Sequence, residues 1–309
     1  MTHPRIVSLL ASSTEIVASL GLLDHLVGIS HECDYPGKVT QLPRVTKSRV
    51  DGSLSSSQID EAVRSFELDG LSIYEVDVDA LNELQPDVIL TQDTCKVCAV
   101  SMDDVQNVVN EVVNKDVKIL SLSPSSLEDV FANILEVGEA LDCFEGANQV
   151  VDSLYMQLDF LRAETTIASP KKVLGLEWIS PPMVIGHWTP ELFRIAGGEP
   201  ILSHTDMPTK REEWSTIVEF DPEVVVIMPC GFKIPQTMTE VSALMDIPGF
   251  AEMKAVRSQQ VYVADGNAYF NRPGPRLVRS AQVAAAAIQP ALYMDKFKIA
   301  QSELQKVTF

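Results

Sequence analysis

Six short stretches hold the residues whose types and spacing could do chemistry. His31-Glu32-Cys33-Asp34-Tyr35-Pro36 sets five potential ligands or proton carriers ahead of a turn former, with His31 and Cys33 two positions apart; an ordinary polar surface loop is the other reading. Gln92-Asp93-Thr94-Cys95-Lys96-Val97-Cys98 places a Cys-x-x-Cys just before Ser101, Asp103 and Asp104, which read as a helix start. Backbone amides and the helix dipole stabilise thiolates in that setting, which suits metal binding or thiol redox work. Structural zinc takes four ligands, so Cys95 and Cys98 would need Cys33 and His31 to hold zinc or iron; two unmodified thiols in or under a pocket are the alternative. The hydroxyls and amides of Ser12-Ser13-Thr14 suit a polar ligand group, unless Ser12 and Glu15 simply form a capping box.

Two of the chain's three tryptophans fall in Glu177-Trp178 and Gly186-His187-Trp188, beside Pro181 and Pro182. Aromatic faces with one imidazole suit stacking against a flat organic ligand, and core tryptophans are the competing reading. Asn271-Arg272-Pro273-Gly274-Pro275-Arg276 offers amides and two guanidiniums to an anionic group, or is only a turn followed by a solvated cap. No Gly-x-Gly-x-x-Gly, phosphate-binding Gly-Lys-Ser/Thr loop, His-Glu-x-x-His or Gly-x-Ser-x-Gly is present. Dinucleotide, nucleotide, zincin and serine-hydrolase chemistry therefore lack their usual signatures.

These residues need a scaffold, and the hydrophobic pattern supplies one. Apolar, β-branched runs at 5–10, 26–30, 87–92 and 118–123 read as strands, with helix-length segments between them that imply parallel pairing by crossover. Residues 126–168 lack strand signals and read as helical with a break near 141–146. The second piece is long enough to span roughly 30 Å before Pro170 stops it. Strands resume at 172–179, 182–185, 224–228 and 260–264, followed by a helix over 276–288 and a polar helical tail. The expected domains are an α/β lobe at 1–123, a helical segment at 124–169 and a second α/β lobe at 170–309. The candidate residues then sit at strand ends, where open parallel sheets place their ligands.

Composition narrows the classes. The 309 residues carry 24 basic and 43 acidic side chains, a net charge of −19, which disfavours nucleic acid and anionic lipid as partners. Residues 1–125 hold 9 basic and 19 acidic groups, 126–169 hold 1 and 9, and 170–309 hold 14 and 15. A protein partner meeting the acidic first lobe is one reading of that asymmetry. No apolar run reaches the ~18 residues of a membrane span. Five sparse cysteines, no Asn-x-Ser/Thr acceptor and no leader-like start predict a cytoplasmic chain with reduced thiols, or a periplasmic one if a leader has been removed.

The chain resembles the cobalamin and iron-chelate substrate-binding proteins of ABC importers. The matching stretches are the run from Arg5 to Val17, Gln85-Pro86-Asp87-Val88-Ile89, Glu191-Leu192-Phe193-Arg194-Ile195-Ala196-Gly197-Gly198, and Phe220-Asp221-Pro222-Glu223-Val224. The resemblance implies two Rossmann-like α/β lobes joined by a single long helix, a periplasmic-binding-protein-like fold that clasps its ligand between lobes without catalysis. It implies a corrinoid such as cobalamin, or a related tetrapyrrole or metal chelate, as ligand. Carried over by position, the binding residues are Ser12, Ser13, Thr14, His31, Glu32, Cys33, Tyr35, Gln92, Asp93, Cys95, Trp178, Gly186, His187, Trp188, Phe232, Asn271 and Arg272. His31 or His187 would be the axial cobalt ligand. An intracellular metal- or thiol-dependent enzyme using Cys33, Cys95, Cys98 and His31, and a ligand-sensing regulatory module, are the rival functions.

Overall fold

The computed structural model describes residues 4–69, 71–92, 116–166, 169–203 and 205–309. The chain divides into two α/β units. Unit 1 comprises Met1–Asp51, Glu61–Pro124 and Glu128–Ser153; unit 2 comprises Gly52–Asp60, Ser125–Leu127 and Leu154–Phe309.

The first part of the chain forms β1 (Ile6–Ser8), α1 (Ala11–Ser19), β2 (Leu26–Ile29), β3 (Thr46–Ser48), α2 (Ser56–Leu68), β4 (Tyr74–Val76), α3 (Val78–Leu84), β5 (Val88–Thr91), β6 (Lys118–Ser121) and α4 (Leu127–Ala140). Four strands pair in parallel in the order β2-β1-β5-β6, and β3 pairs with β4 as a separate antiparallel ribbon. Every residue of β1 and β5 is buried, as continuous apolar runs covered on both faces must be. Val7, Leu9, Val45, Leu81 and Ile89 form a core cluster there. Asp77 fixes the start of α3 by accepting a hydrogen bond from the Ala80 amide, and Gln85, in the left-handed region at φ 43°, ends it.

The long helix α5 (Phe144–Thr165) has 22 residues, about 33 Å at the helical rise, and carries the chain from unit 1 into unit 2. Unit 2 then forms β7 (Lys171–Trp178), β8 (Met183–Val184), α6 (Thr189–Ile195), β9 (Gly198–Pro200), β10 (Lys210–Arg211), α7 (Trp214–Phe220), β11 (Val224–Ile227), α8 (Ile234–Val241), α9 (Lys254–Arg257), β12 (Val261–Ala264), α10 (Leu277–Ile288), α11 (Pro290–Tyr293) and β13 (Leu304–Lys306). Its seven-stranded sheet runs β10-β8-β7-β11-β12-β13, with β9 pairing parallel to the start of β7. The β7-β11-β12 centre is parallel, β8 and β13 run antiparallel to it, and β10 pairs antiparallel with β8 and so runs in the direction of the centre.

Two local expectations fail for identifiable reasons. The polar tail ends in β13 rather than a helix. Leu304 and Val307 are buried beside β12, two apolar residues being too few to reveal a strand's period. The capping box at Ser12 does not form, because α1 starts one residue before it, with Leu10 as its cap and no side-chain capping bond.

Candidate functional site

In each unit the strand order reverses beside a central strand, between β1 and β5 in unit 1 and between β7 and β11 in unit 2. Loops leaving the carboxyl ends of strands at such a switch diverge and leave a crevice, so residues there are the first to examine.

In unit 1 the expected residues after β1 are bound to one another. Thr14 Oγ1 donates to Ser8 Oγ at 2.7 Å, Ser8 and Ser13 share a 2.7 Å contact, and Ser13 Oγ donates to the Leu10 carbonyl at 3.1 Å. Cys33 Sγ lies 3.1 Å from Thr14 Oγ1 and 3.2 Å from Ser30 Oγ. Because the Thr14 hydroxyl proton points at Ser8, the thiol is the donor in its contact with Thr14. Ser13, Thr14 and Cys33 are fully buried and Ser12 nearly so. This network stitches β1 and α1 to the loop after β2.

His31 and Glu32 lie at the rim of that network. The His31 amide donates to Thr46 Oγ1 at 3.0 Å, its Nδ1 lies 2.7 Å from the same oxygen, and its ring packs 5.2 Å from that of Tyr74. Its Nε2 sits 3.3 Å from Glu32 Oε1, near in distance but misaligned as a hydrogen bond. Tyr35 is exposed and Gln92 follows β5 directly. Asp93, Cys95 and Cys98, the last two being half of the expected four-ligand metal set, lie outside the described residues. Among the described residues no group of three or more His, Cys, Asp and Glu side chains gathers closely enough to hold a metal ion.

Unit 2 brings its expected residues together on different terms. Trp178 ends β7 and tilts against Phe232 with ring centroids 5.3 Å apart. Its indole donates to the Ser56 carbonyl at 3.1 Å. The His187 and Trp188 rings stack at 5.6 Å and 28°. Trp188 Nε1 donates to the Phe270 carbonyl at 2.7 Å, and Asn271 Nδ2 donates to the carbonyls of Met228 and Gly266 at 3.0 and 2.9 Å. These bonds pin the 270–272 loop beside β11. Arg272, buried, donates to Asn267 Oδ1 at 2.9 Å.

The loop that presents His187 depends on its glycine. A Cβ on Gly186 would meet the Thr209 amide nitrogen at 2.4 Å and the Met207 carbonyl oxygen at 2.6 Å, and the next residue, His187, takes φ 52° with its amide donating to Met207. His187 Nδ1 is buried with no hydrogen-bond partner, and burial lowers the pKa of the ring, so the imidazole is neutral near pH 7.

The sequence reading named Glu177 as the end of a strand but not as a site residue. Desolvation raises its pKa from 4.5 to about 7, against the opposing pull of hydrogen bonds from Thr209 Oγ1, at 2.8 Å, and the Gly186 amide. The available signal was its place beside Trp178 at the end of an apolar run. Desolvation of a carboxyl held against Thr209 and the Gly186 amide is a tertiary effect that no spacing encodes.

The pattern of the periplasmic binding protein family matches residues 6–268. A Bacillus subtilis protein described as an uncharacterised ABC transporter substrate-binding lipoprotein is 24% identical over 297 residues, covering 95% of this chain and 81% of that protein. A vitamin B12-binding protein of Vibrio cholerae is 21% identical over 282 residues, covering 90% and 86%. Among solved structures, the periplasmic vitamin B12-binding protein of Vibrio cholerae superposes with a TM-score of 0.67 at 19% identity, covering 94% of this chain and 98% of the other. A periplasmic heme-binding protein of Pseudomonas aeruginosa reaches 0.70 at 20%, covering 94% of each.

These relatives overturn the cytoplasmic expectation. The family and a relative described as a lipoprotein point outside the cytoplasm instead. The thiol argument was physically weak: a chain with a core this large folds without disulfides, so sparse cysteines do not report the redox state around them.

Proposed function

We propose, because the chain belongs to the periplasmic binding protein family, that it binds a corrinoid, heme or a related metal chelate without catalysis and delivers it to an ABC permease. The observation that carries the ligand class is a pair of aromatic contacts in unit 2: Trp188 stacked on a neutral His187 after β8, and Trp178, at the carboxyl end of the parallel strand β7, against Phe232. Broad aromatic faces suit a macrocycle, and a neutral imidazole is the form that coordinates cobalt or iron. Two sets of relatives add support, one named for vitamin B12 and one for heme.

His187 is the preferred axial candidate. His31 has Thr46 at one ring nitrogen and Glu32 beside the other. Arg272 would face polar periphery, while the Asn271 amide, with both its protons on backbone carbonyls, would hold the loop that carries it.

Titration with cyanocobalamin and with hemin, followed by visible absorption and by melting temperature, tests the reading. One of the two should bind saturably and, at 100-fold excess over its Kd, stabilise the fold by about 2.7 kcal/mol. His187→Ala should change the bound spectrum. No saturable change with either ligand overturns the proposal.

A further inference from the structure

Within the first 124 residues, only Gly52–Asp60 groups with unit 2. Its attachment is specific. The Ser56 amide donates to Glu240 Oε1 at 2.8 Å, and the Ser56 hydroxyl donates to Glu240 Oε2 in a short contact. Gln236 Nε2 donates to the carbonyls of Gly52 and Leu54 at 2.7 and 3.3 Å. Arg211 pairs with Asp60 at 2.7 Å, and the Trp178 indole donates to the Ser56 carbonyl at 3.1 Å. Ser56 is completely buried.

The position of Glu240 shows what this arrangement serves. It lies one residue from the end of α8, where the helix dipole disfavours a carboxylate, so its own helix gains nothing from it. It meets the first residue of α2 instead, where free amides and the positive end of the dipole favour an anion. A capping box completes that end: Gln58 Oε1 accepts from the Ser55 amide while Ser55 Oγ accepts from the Gln58 amide. The strap is therefore preformed, and Glu240 is its catch.

We infer that residues 52–60 form a latch on the Trp178 side of unit 2, held shut by Glu240 and Gln236, that must lift before the Trp178–Phe232 face takes a flat ligand. The closed latch occupies the one hydrogen-bond donor of the Trp178 side chain. Release frees the indole and opens its surroundings without disturbing β7. The ligand part rests on the function proposed above; the latch itself does not.

The test has two arms. The first needs no ligand. In a Trp188→Phe, Trp214→Phe background Trp178 is the sole tryptophan, and its fluorescence quenching by acrylamide reports access. Glu240→Ala should raise quenching about threefold and speed amide exchange across 52–60 on the order of tenfold, leaving β7, β11 and β12 protected. Gln236→Ala should give the same pattern more weakly. Unchanged quenching and exchange in both variants, or faster exchange spread evenly over unit 2, overturns the latch. The second arm measures hemin and cyanocobalamin association in the natural tryptophan background, where Glu240→Ala should quicken association severalfold for whichever binds. A first arm that succeeds while neither probe binds leaves the latch standing and removes the ligand reading. Binding at an unchanged rate removes the gating role.

Discussion

Both units place polar and aromatic residues in loops that leave strands beside the central one, and they use them in opposite ways. After β1, Ser13, Thr14 and Cys33 are fully buried and spend their hydrogen bonds on one another and on Ser8 and Ser30. After β7 and β8, Trp178, His187 and Trp188 remain partly open. The Trp188 anchoring bond is made through the edge of the indole, which leaves a ring face for contact, whereas the Trp178 edge is held by the 52–60 latch. Strand-end position alone therefore does not make a binding residue; what separates scaffold from site is whether the group's bonding capacity is consumed internally.

The sharpest way to break the unit 2 side is Gly186→Ala. Its Cβ would collide with backbone atoms of residues 207–209, which have no flexible end to yield. The expected loss is about 3 to 4 kcal/mol in urea unfolding, together with ligand binding, because the loop carrying His187 and Trp188 must move. Retained stability and affinity would show that this loop is not held by close packing.

Glu177 supplies the next effect, through pH. Its carboxyl titrates near 7 in the folded chain against 4.5 for a free one, so the folded state binds that proton more tightly. Stability from this group is complete below pH 4.5, falls as pH rises toward about 7 and is flat above; the full swing is on the order of 3 kcal/mol. Glu177→Gln, which keeps an acceptor for the Gly186 amide, should flatten the unfolding free energy across that window and leave the variant the more stable at pH 8. A parallel pH profile in both proteins would contradict the desolvated, proton-holding carboxyl.

The same contrast explains what was legible beforehand. Runs such as 87–92 and 224–228 announced β5 and β11, because strands buried on both faces need unbroken apolar sequence and little else resembles them. The helical stretch at 126–168 and its break correspond to α4 and α5, separated by residues 141–143. The two-residue β10 and the β3–β4 ribbon depend on partners well separated along the chain and leave no period to read, whereas β8 falls inside the expected strand at 182–185. The site followed the same rule. Trp178, His187 and Trp188 stood out by residue type, whereas the contact between Ser56 and Glu240 spans 184 positions and no motif records it. The capping signal at Ser12 was a real pattern that the helix start overrides: α1 begins at Ala11 with Leu10 as its cap, which leaves Ser12 inside the first turn. The box at Ser55 and Gln58 does form where neighbours leave the serine free to cap.

Thr14→Val tests the unit 1 side at nearly constant volume. It removes the hydroxyl that donates to Ser8 and accepts from Cys33, both buried, while Ser30 remains within reach of the thiol. A loss of about 2 kcal/mol in unfolding free energy is expected, with hemin or cobalamin affinity unchanged in the folded variant. A drop in affinity at full stability would reverse the assignment, making this network part of the binding surface.

The smallest expected effect is the most discriminating. Trp188→Phe keeps an aromatic face and deletes the indole bond to the Phe270 carbonyl, a bond that pins a loop rather than one a ligand needs. Stability should fall by about 1 kcal/mol, and affinity should fall only severalfold if the ring face is what the ligand uses. Trp188→Ala, which removes the face as well, should then cost affinity at least tenfold more than Trp188→Phe does. Equal losses in the two variants would mean that the edge bond and the loop it positions matter more than the face. Unit 2 would then resemble unit 1, with its polar bonds serving the scaffold and its aromatic rings serving as packing.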